Sequence, residues 1–181
     1  MDGFNEQVVK RATKAKNIVI KILSVVILLF IPVLFTFLAF TITTYMFYVG
    51  LFLFIGGIYM VWYIFSCQKV EFEYSVAGNE LKISKIIALR RRKNICKINI
   101  NEIEELEKGD KITKGKRFTK TFIAARDFDK DDENYYAIFN SPAYGRSLLV
   151  FTPNDDILQG MKPHLNKNIV LKLFYHRNTG R

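Results

Sequence analysis

The sequence predicts a membrane protein in which an α-helical transmembrane hairpin precedes a mainly β domain that ends in a helix. Three observations carry this. Residues 22 to 66 contain no charged side chain and are mostly Ile, Leu, Val and Phe. From residue 70 the pattern changes to strict alternation of apolar and polar residues, the period of a strand with one buried face. Near residue 152 it changes again, to a four-residue apolar spacing that suits an amphipathic helix.

The uncharged block is 45 residues long. As one helix at 1.5 Å per residue it would be roughly twice as long as the ~30 Å hydrocarbon core is thick, so it is expected to cross twice. The first helix is placed at about 22 to 40, a turn around Thr41, Thr43 and Thr44, and the second helix at about 45 to 65. Tyr45 and Tyr48 at one end of the second helix, and Tyr59, Trp62 and Tyr63 toward the other, match interfacial aromatic belts. Pro32 is expected to kink the first helix, and Gly50, Gly56 and Gly57 permit close backbone approach without forming a G-x-x-x-G dimer motif.

Charge fixes the expected orientation. Lys10, Arg11, Lys14, Lys16 and Lys21 precede the block, Lys69 follows it, and the intervening turn has no Lys or Arg. The positive-inside rule then places both termini in the cytoplasm of a cell-membrane protein. A long charged leader and the lack of an A-x-A-like site argue against a cleaved signal peptide. Cys67 and Cys96 are too few for a disulfide framework and read as reduced thiols. The expected organisation is a basic N-terminal segment 1–21, the hairpin 22–66, the β domain 67–166 and a tail 167–181.

Within the β domain, Val70, Phe72, Tyr74 and Val76 alternate with Glu71, Glu73 and Ser75. A two-residue turn at Gly78 and Asn79 pairs Val76 with Leu81 and Tyr74 with Ile83, and sets Phe72 against Lys85, which calls for a bulge near residues 84 to 86. Further strands are expected at 96–100, 103–106, 121–125, 135–139 and 147–151, the last two joined by the hairpin-length loop from Ser141 to Gly145. Thr152 is the expected helix cap, Pro153, Asp155 and Asp156 suit the first turn, and Ile157, Met161 and Leu165 form the buried stripe. Pro163 ends or kinks this helix, and 169–175 packs as either helix or strand.

Two stretches, VEFEYSVAGNELKI at 70–83 and FTPNDDILQGMKPHL at 151–165, sit in a frame of about seven strands and one C-terminal helix. This frame resembles the bacterial pleckstrin-homology-like domains of small membrane proteins, and the whole layout resembles an uncharacterised family of such proteins. The resemblance implies a bent sheet or partly open barrel plugged by the helix and used as a binding platform. Phosphoinositide-binding relatives carry spaced basic residues around the first hairpin, where this chain offers Lys82 and Lys85.

No motif points to catalysis, and no cofactor is expected: there is no P-loop, G-x-S-x-G or Cys/His signature. Asp127, Asp129 and Asp131 open like a calcium loop, but Asp132 stands where Gly is needed and Ile138 where Glu is needed, so they read as a solvated loop. His164, His176, Cys67 and Cys96 lack a metal-site spacing. The region from Cys67 onward carries 22 Lys and Arg against 15 Asp and Glu. Its densest positive run, Arg90, Arg91, Arg92 and Lys93, is placed at the end of the second strand of the β domain and is the candidate contact for anionic lipid headgroups; its competitor is a solvated or topology-setting role. A second basic run, from Lys108 to Lys120, is expected to pair in part with the acidic residues 127–133 in a mobile loop. Nucleic acid is not favoured, since no recognition helix or RNA-binding aromatic motif accompanies the charge. The expected function is a membrane-anchored, non-enzymatic adaptor or scaffold that binds the bilayer surface or a protein partner. The alternative is a structural subunit that assembles a larger membrane complex through its hairpin.

Overall fold

The computed structural model describes residues 4–175. The chain divides into two compact units, residues 13–69 and the remainder of the chain on either side of them.

The first unit is the helical hairpin. Helix α1 runs from Ala15 to Thr41 and α2 from Tyr45 to Cys67. Their lengths are roughly 40 and 35 Å, and both are long and apolar enough to cross a membrane. Helix α1 starts seven residues before the uncharged block, because Lys16 and Lys21 are good helix formers. The two helices pack closely where α2 lacks side chains. A Cβ on Gly50 would lie 2.3 Å from Phe35 Cβ, and one on Gly57 would lie 2.6 Å from Leu28 Cδ1. Gly56 faces open space. Pro32 stays inside α1, where the Thr36 hydroxyl donates to its carbonyl at 2.7 Å. At the base of the hairpin the Lys21 ammonium lies 5.3 Å from the centre of the Phe65 ring.

Among the described residues, the second unit holds eight strands in two four-stranded sheets. In the first sheet, β1 (Phe4–Lys10), β2 (Val70–Ala77), β3 (Glu80–Ile87) and β4 (Arg91–Asn99) lie in sequence order, all antiparallel. Strand β1 was not expected, and it moves part of the supposed basic leader into the β domain. It pairs along its whole length with β2, from Phe4 opposite Ala77 to Lys10 opposite Glu71. The Arg11 amide then donates to Val70 O at 3.0 Å, and the Ala12 amide to Arg126 O at 2.7 Å. The 57 residues of the helical unit are therefore an insertion between two neighbouring strands of one sheet.

The β2–β3 register is the expected one, with Val76 opposite Leu81, Tyr74 opposite Ile83 and Phe72 opposite Lys85. The bulge also falls near Ser84, but it lies in the pairing with β4: Ile83 faces Cys96 and Ser84 faces Asn94, so Ile95 is the extra residue. Without it Asn94 would take a core position.

The second sheet has the order β5-β7-β8-β6, with β5 at Ile103–Lys108, β6 at Lys120–Ala124, β7 at Tyr135–Ser141 and β8 at Gly145–Phe151. Strand β6 runs parallel to β8 at the sheet edge, whereas the other pairs are antiparallel. The expected bent sheet or partly open barrel takes the form of these two sheets, whose inner faces share one core. Phe72, Tyr74, Val76, Leu81 and Ile83 from one meet Leu106, Ala137, Phe139, Leu149 and Phe151 from the other. On the far side of the second sheet, Tyr136, Ile138, Leu148 and Val150 are covered by Ile112 and Phe118. Burial on both faces explains why β7 and β8 read as almost continuous apolar runs. The segment carrying Ile112 is thus packed, and its Lys116 pairs with Glu105 at 2.6 Å instead of with residues 127–133.

Helix α3 (Asp155–Met161) closes the core with Ile157 and Met161 fully buried and Leu165 nearly so, as its spacing requires. Its cap is Asn154, whose side chain accepts from the Ile157 amide at 2.9 Å, and not Thr152. Thr152 is engaged elsewhere, accepting from the Arg126 amide and donating to Asn134 Oδ1. Strand β1 grips this helix start: Asn5 Nδ2 donates to Asp156 O, Gln7 Nε2 to Thr152 O, and the Asn154 amide donates to Gln7 Oε1. A short helix α4 (Lys167–Val170) continues as a π-turn to Tyr175, burying Ile169, so the tail takes the helical option.

These contacts define the smallest folding unit of the β domain. Residues 1–12 joined by a short Gly/Ser linker to Val70 and everything after it should melt cooperatively as a soluble domain, because the two ends are already hydrogen-bonded. A chain beginning at Lys69 lacks Val9 from the core and leaves the Asn154 amide unpaired, and should melt at lower temperature or not fold. Thermal denaturation followed by circular dichroism separates the two; equal melting would show that β1 is dispensable.

Candidate functional site

The candidate residues lie at one end of the first sheet, and the strand registers define that end. Val70 is opposite Ile87, which is opposite Arg91; Lys10, Glu71, Ile86 and Arg92 form the next row; Val9, Phe72, Lys85 and Lys93 the one after. The β3–β4 turn, Ala88–Arg90, projects beyond these rows. The chain leaves for the helical hairpin after β1 and returns to β2 at the same end, since Arg11 is bonded to Val70. Arg90 to Lys93 were expected at the end of the second strand of the β domain; that strand ends at Ile87, which puts Arg90 in the turn and Arg91, Arg92 and Lys93 at the start of β4.

The four residues are exposed but not equivalent. Arg92 Nη2 lies 3.1 Å from Glu73 Oε2, an ion pair whose guanidinium is largely exposed and whose carboxylate is nearly buried. The angles are poor enough that Glu73 Oε2 has no hydrogen-bond partner among the described residues. Burial pushes the Glu73 carboxyl above the usual range, a side-chain hydrogen bond with Glu6 pushes the same way, and Arg92 opposes both. Arg92 is therefore partly committed to tying β4 to β2 across β3. Lys93 stands directly opposite Lys85, a like-charge pair that costs stability unless an anion lies nearby. Strand β4 is also a sheet edge, where basic side chains discourage pairing with another chain.

The turn has two features that the sequence did not reveal. Ala88 and Leu89 have φ of 56° and 58°, the left-handed region, which costs about 1 kcal/mol or more per non-glycine residue. Leu89 is 60% exposed. A consecutive Ala-Leu in this conformation carries no turn signature, so only coordinates could locate it.

The other candidates do not converge. Among the described residues, no group of three His, Cys, Asp or Glu is placed to hold a metal ion. The Asp127 carboxylate accepts from the Asp129 amide at 3.2 Å, an ordinary loop contact, and His176 lies outside the described residues. Cys96 is buried in the core, which pushes its thiol up to about 12 and removes it as a nucleophile at neutral pH.

Two sheets around a shared core, closed by a C-terminal helix and joined to two long apolar helices, define a pleckstrin-homology-like domain that carries a helical hairpin. The chain belongs to the bacterial PH-like domain family DUF6106, whose model matches residues 1–171. The match takes in β1 and the hairpin together with the β domain. A family of this kind suggests a protein-interaction or lipid-binding module. Comparisons with curated proteins and with solved structures gave no match.

The Glu73 environment sets a pH dependence. A carboxyl whose folded pKa lies above its unfolded value contributes stability below the unfolded value and loses it as pH rises through the folded one. Glu73→Gln should therefore melt like the parent near pH 4 and at higher temperature than the parent near pH 7, where only the parent holds a buried charge. Thermal melts across this range check the sign. A variant less stable than the parent at pH 7 would show that attraction to Arg92 outweighs burial.

Proposed function

We propose that this protein is a membrane-anchored, non-enzymatic interaction module that presents its PH-like domain at the cytoplasmic face of the cell membrane. The hairpin crosses the bilayer twice, and the basic end of the first sheet is turned to anionic headgroups. The β1–β2 register carries this reading. It requires both ends of the hairpin to emerge on the side where the β domain folds, which fits an even number of crossings. The basic residues on both flanks of the hairpin support the cytoplasm as that side.

The exposed surface of the helices supports the anchor. Val33, Phe37, Phe40 and Phe52 are each more than 60% exposed, a continuous apolar surface that water tolerates poorly and hydrocarbon accepts. The connections between the helices and the β domain are short, residues 13–14 on one side and 68–69 on the other. Basic groups near an anionic surface contribute about 1 kcal/mol each and lose this within a Debye length. With Arg92 held by Glu73, the attraction falls chiefly to Arg91 and Lys93.

The hairpin-excised domain described above provides the test. It should cosediment with phosphatidylcholine vesicles only when phosphatidylglycerol is added, and less so at moderate salt. Changing Arg91 and Lys93 to Ser removes up to ~2 kcal/mol of attraction, so binding should fall about tenfold or more. Equal binding by parent and variant would contradict the lipid reading and leave a protein partner as the occupant of this surface.

A further inference from the structure

We propose that the left-handed β3–β4 turn is an insertion wedge: Leu89 enters the headgroup layer while Arg91 and Lys93 contact lipid phosphates. The proposal rests on the bilayer reading above and names the residue that makes the contact more than electrostatic.

Four observations converge on this turn. Leu89 is 60% exposed at the tip of a hairpin. Ala88 and Leu89 both hold φ near +57°, values of 56° and 58°, although glycine would adopt them without strain. Strain of this kind is kept where the conformation serves a purpose, and here it turns a leucine outward. The residues that follow, Arg91 and Lys93, are exposed, form no ion pair among the described residues and flank the tip. Finally, the registers put the turn at the sheet end where the chain enters and leaves its two apolar helices.

The chemistry fits one occupant. An apolar tip with a cationic collar matches the bilayer interface, where acyl chains begin just beneath a layer of phosphates. The Lys85–Lys93 pairing supports this, because two ammonium groups in direct cross-strand opposition are relieved by a phosphate. The opposite end of the same sheet, the Gly78–Asn79 turn, has neither feature: Ala77 and Glu80 flank it.

The test uses the full chain reconstituted in vesicles. In a Cys67→Ser background, Leu89→Cys carries an environment-sensitive fluorophore, and Ala77→Cys carries it as the control. Cys96 is only 1% exposed and does not compete for the label. Vesicles contain phosphatidylcholine with phosphatidylglycerol and a lipid bearing a quencher at a shallow acyl position. Trp62, the single tryptophan, sits in α2 and reports on the anchor in the same sample. The proposal requires quenching of Trp62 and of the label at residue 89, with no quenching at residue 77. Quenching of Trp62 without quenching at 89 overturns the wedge and leaves the anchor intact. No quenching at either overturns both. A second measurement separates insertion from charge: Leu89→Asn suits the left-handed turn and keeps every cation. Trypsin should cut this variant after Arg90 to Lys93 faster than the parent in anionic vesicles and at the parent's rate in detergent. Equal rates in the vesicles would show that Leu89 contributes nothing.

Discussion

Pairing of β1 with β2 is the constraint on which the rest of the structure depends. Two strands that are neighbours in the sheet are separated in sequence by the whole helical hairpin, so the first sheet is completed only if residues 4–10 return to residues 70–77. Closing so long a loop costs entropy that grows only slowly with length, and a preformed helical hairpin brings the ends together, which reduces the cost further. Once β1 is in place it serves two partners. Its backbone completes the sheet, and its inward Asn5 and Gln7 hold the start of α3 through three hydrogen bonds. The helix that closes the core is thus tied to the strand that precedes the hairpin.

A second polar centre joins the two sheets. Tyr74 is fully buried in β2, and its hydroxyl donates to Ala124 O at the end of β6 while accepting from the Thr152 amide after β8. Burial raises its pKa above the usual phenol range, so it acts as a neutral hydrogen-bonding group at any ordinary pH. Thr152 extends the network to Asn134, and Asn134 to the Asp127 carbonyl. These bonds satisfy backbone groups at strand ends that would otherwise be buried unpaired.

Much of this architecture is legible in the residues. The β2–β3 register and the Ile157–Met161–Leu165 stripe follow from periodicity, because each buries one regular face, whereas the uncharged block and the β7–β8 hairpin follow from continuous apolar runs bounded by polar turns. Strand β1 was missed because its pattern is inverted: polar Asn5 and Gln7 point inward to α3, while Phe4 and Val8 are exposed. Strand β6 was expected at 121–125, but its parallel pairing with β8 has no hairpin to announce it. The candidate basic run was visible as charge, but its division into a partner for Glu73 and a surface-facing remainder depends on cross-strand neighbours. The outward Leu89 depends on a backbone conformation for which its sequence gives no cue.

The central claim is that the hairpin is inserted within a sheet, and the amides of residues 4–10 report on it most directly. Hydrogen exchange of the full chain in lipid nanodiscs should find these amides protected on the same timescale as those of Val70–Ala77, since the two strands share one ladder. Exchange of residues 4–10 at the rate of an unstructured peptide, with β2 still protected, would contradict the account.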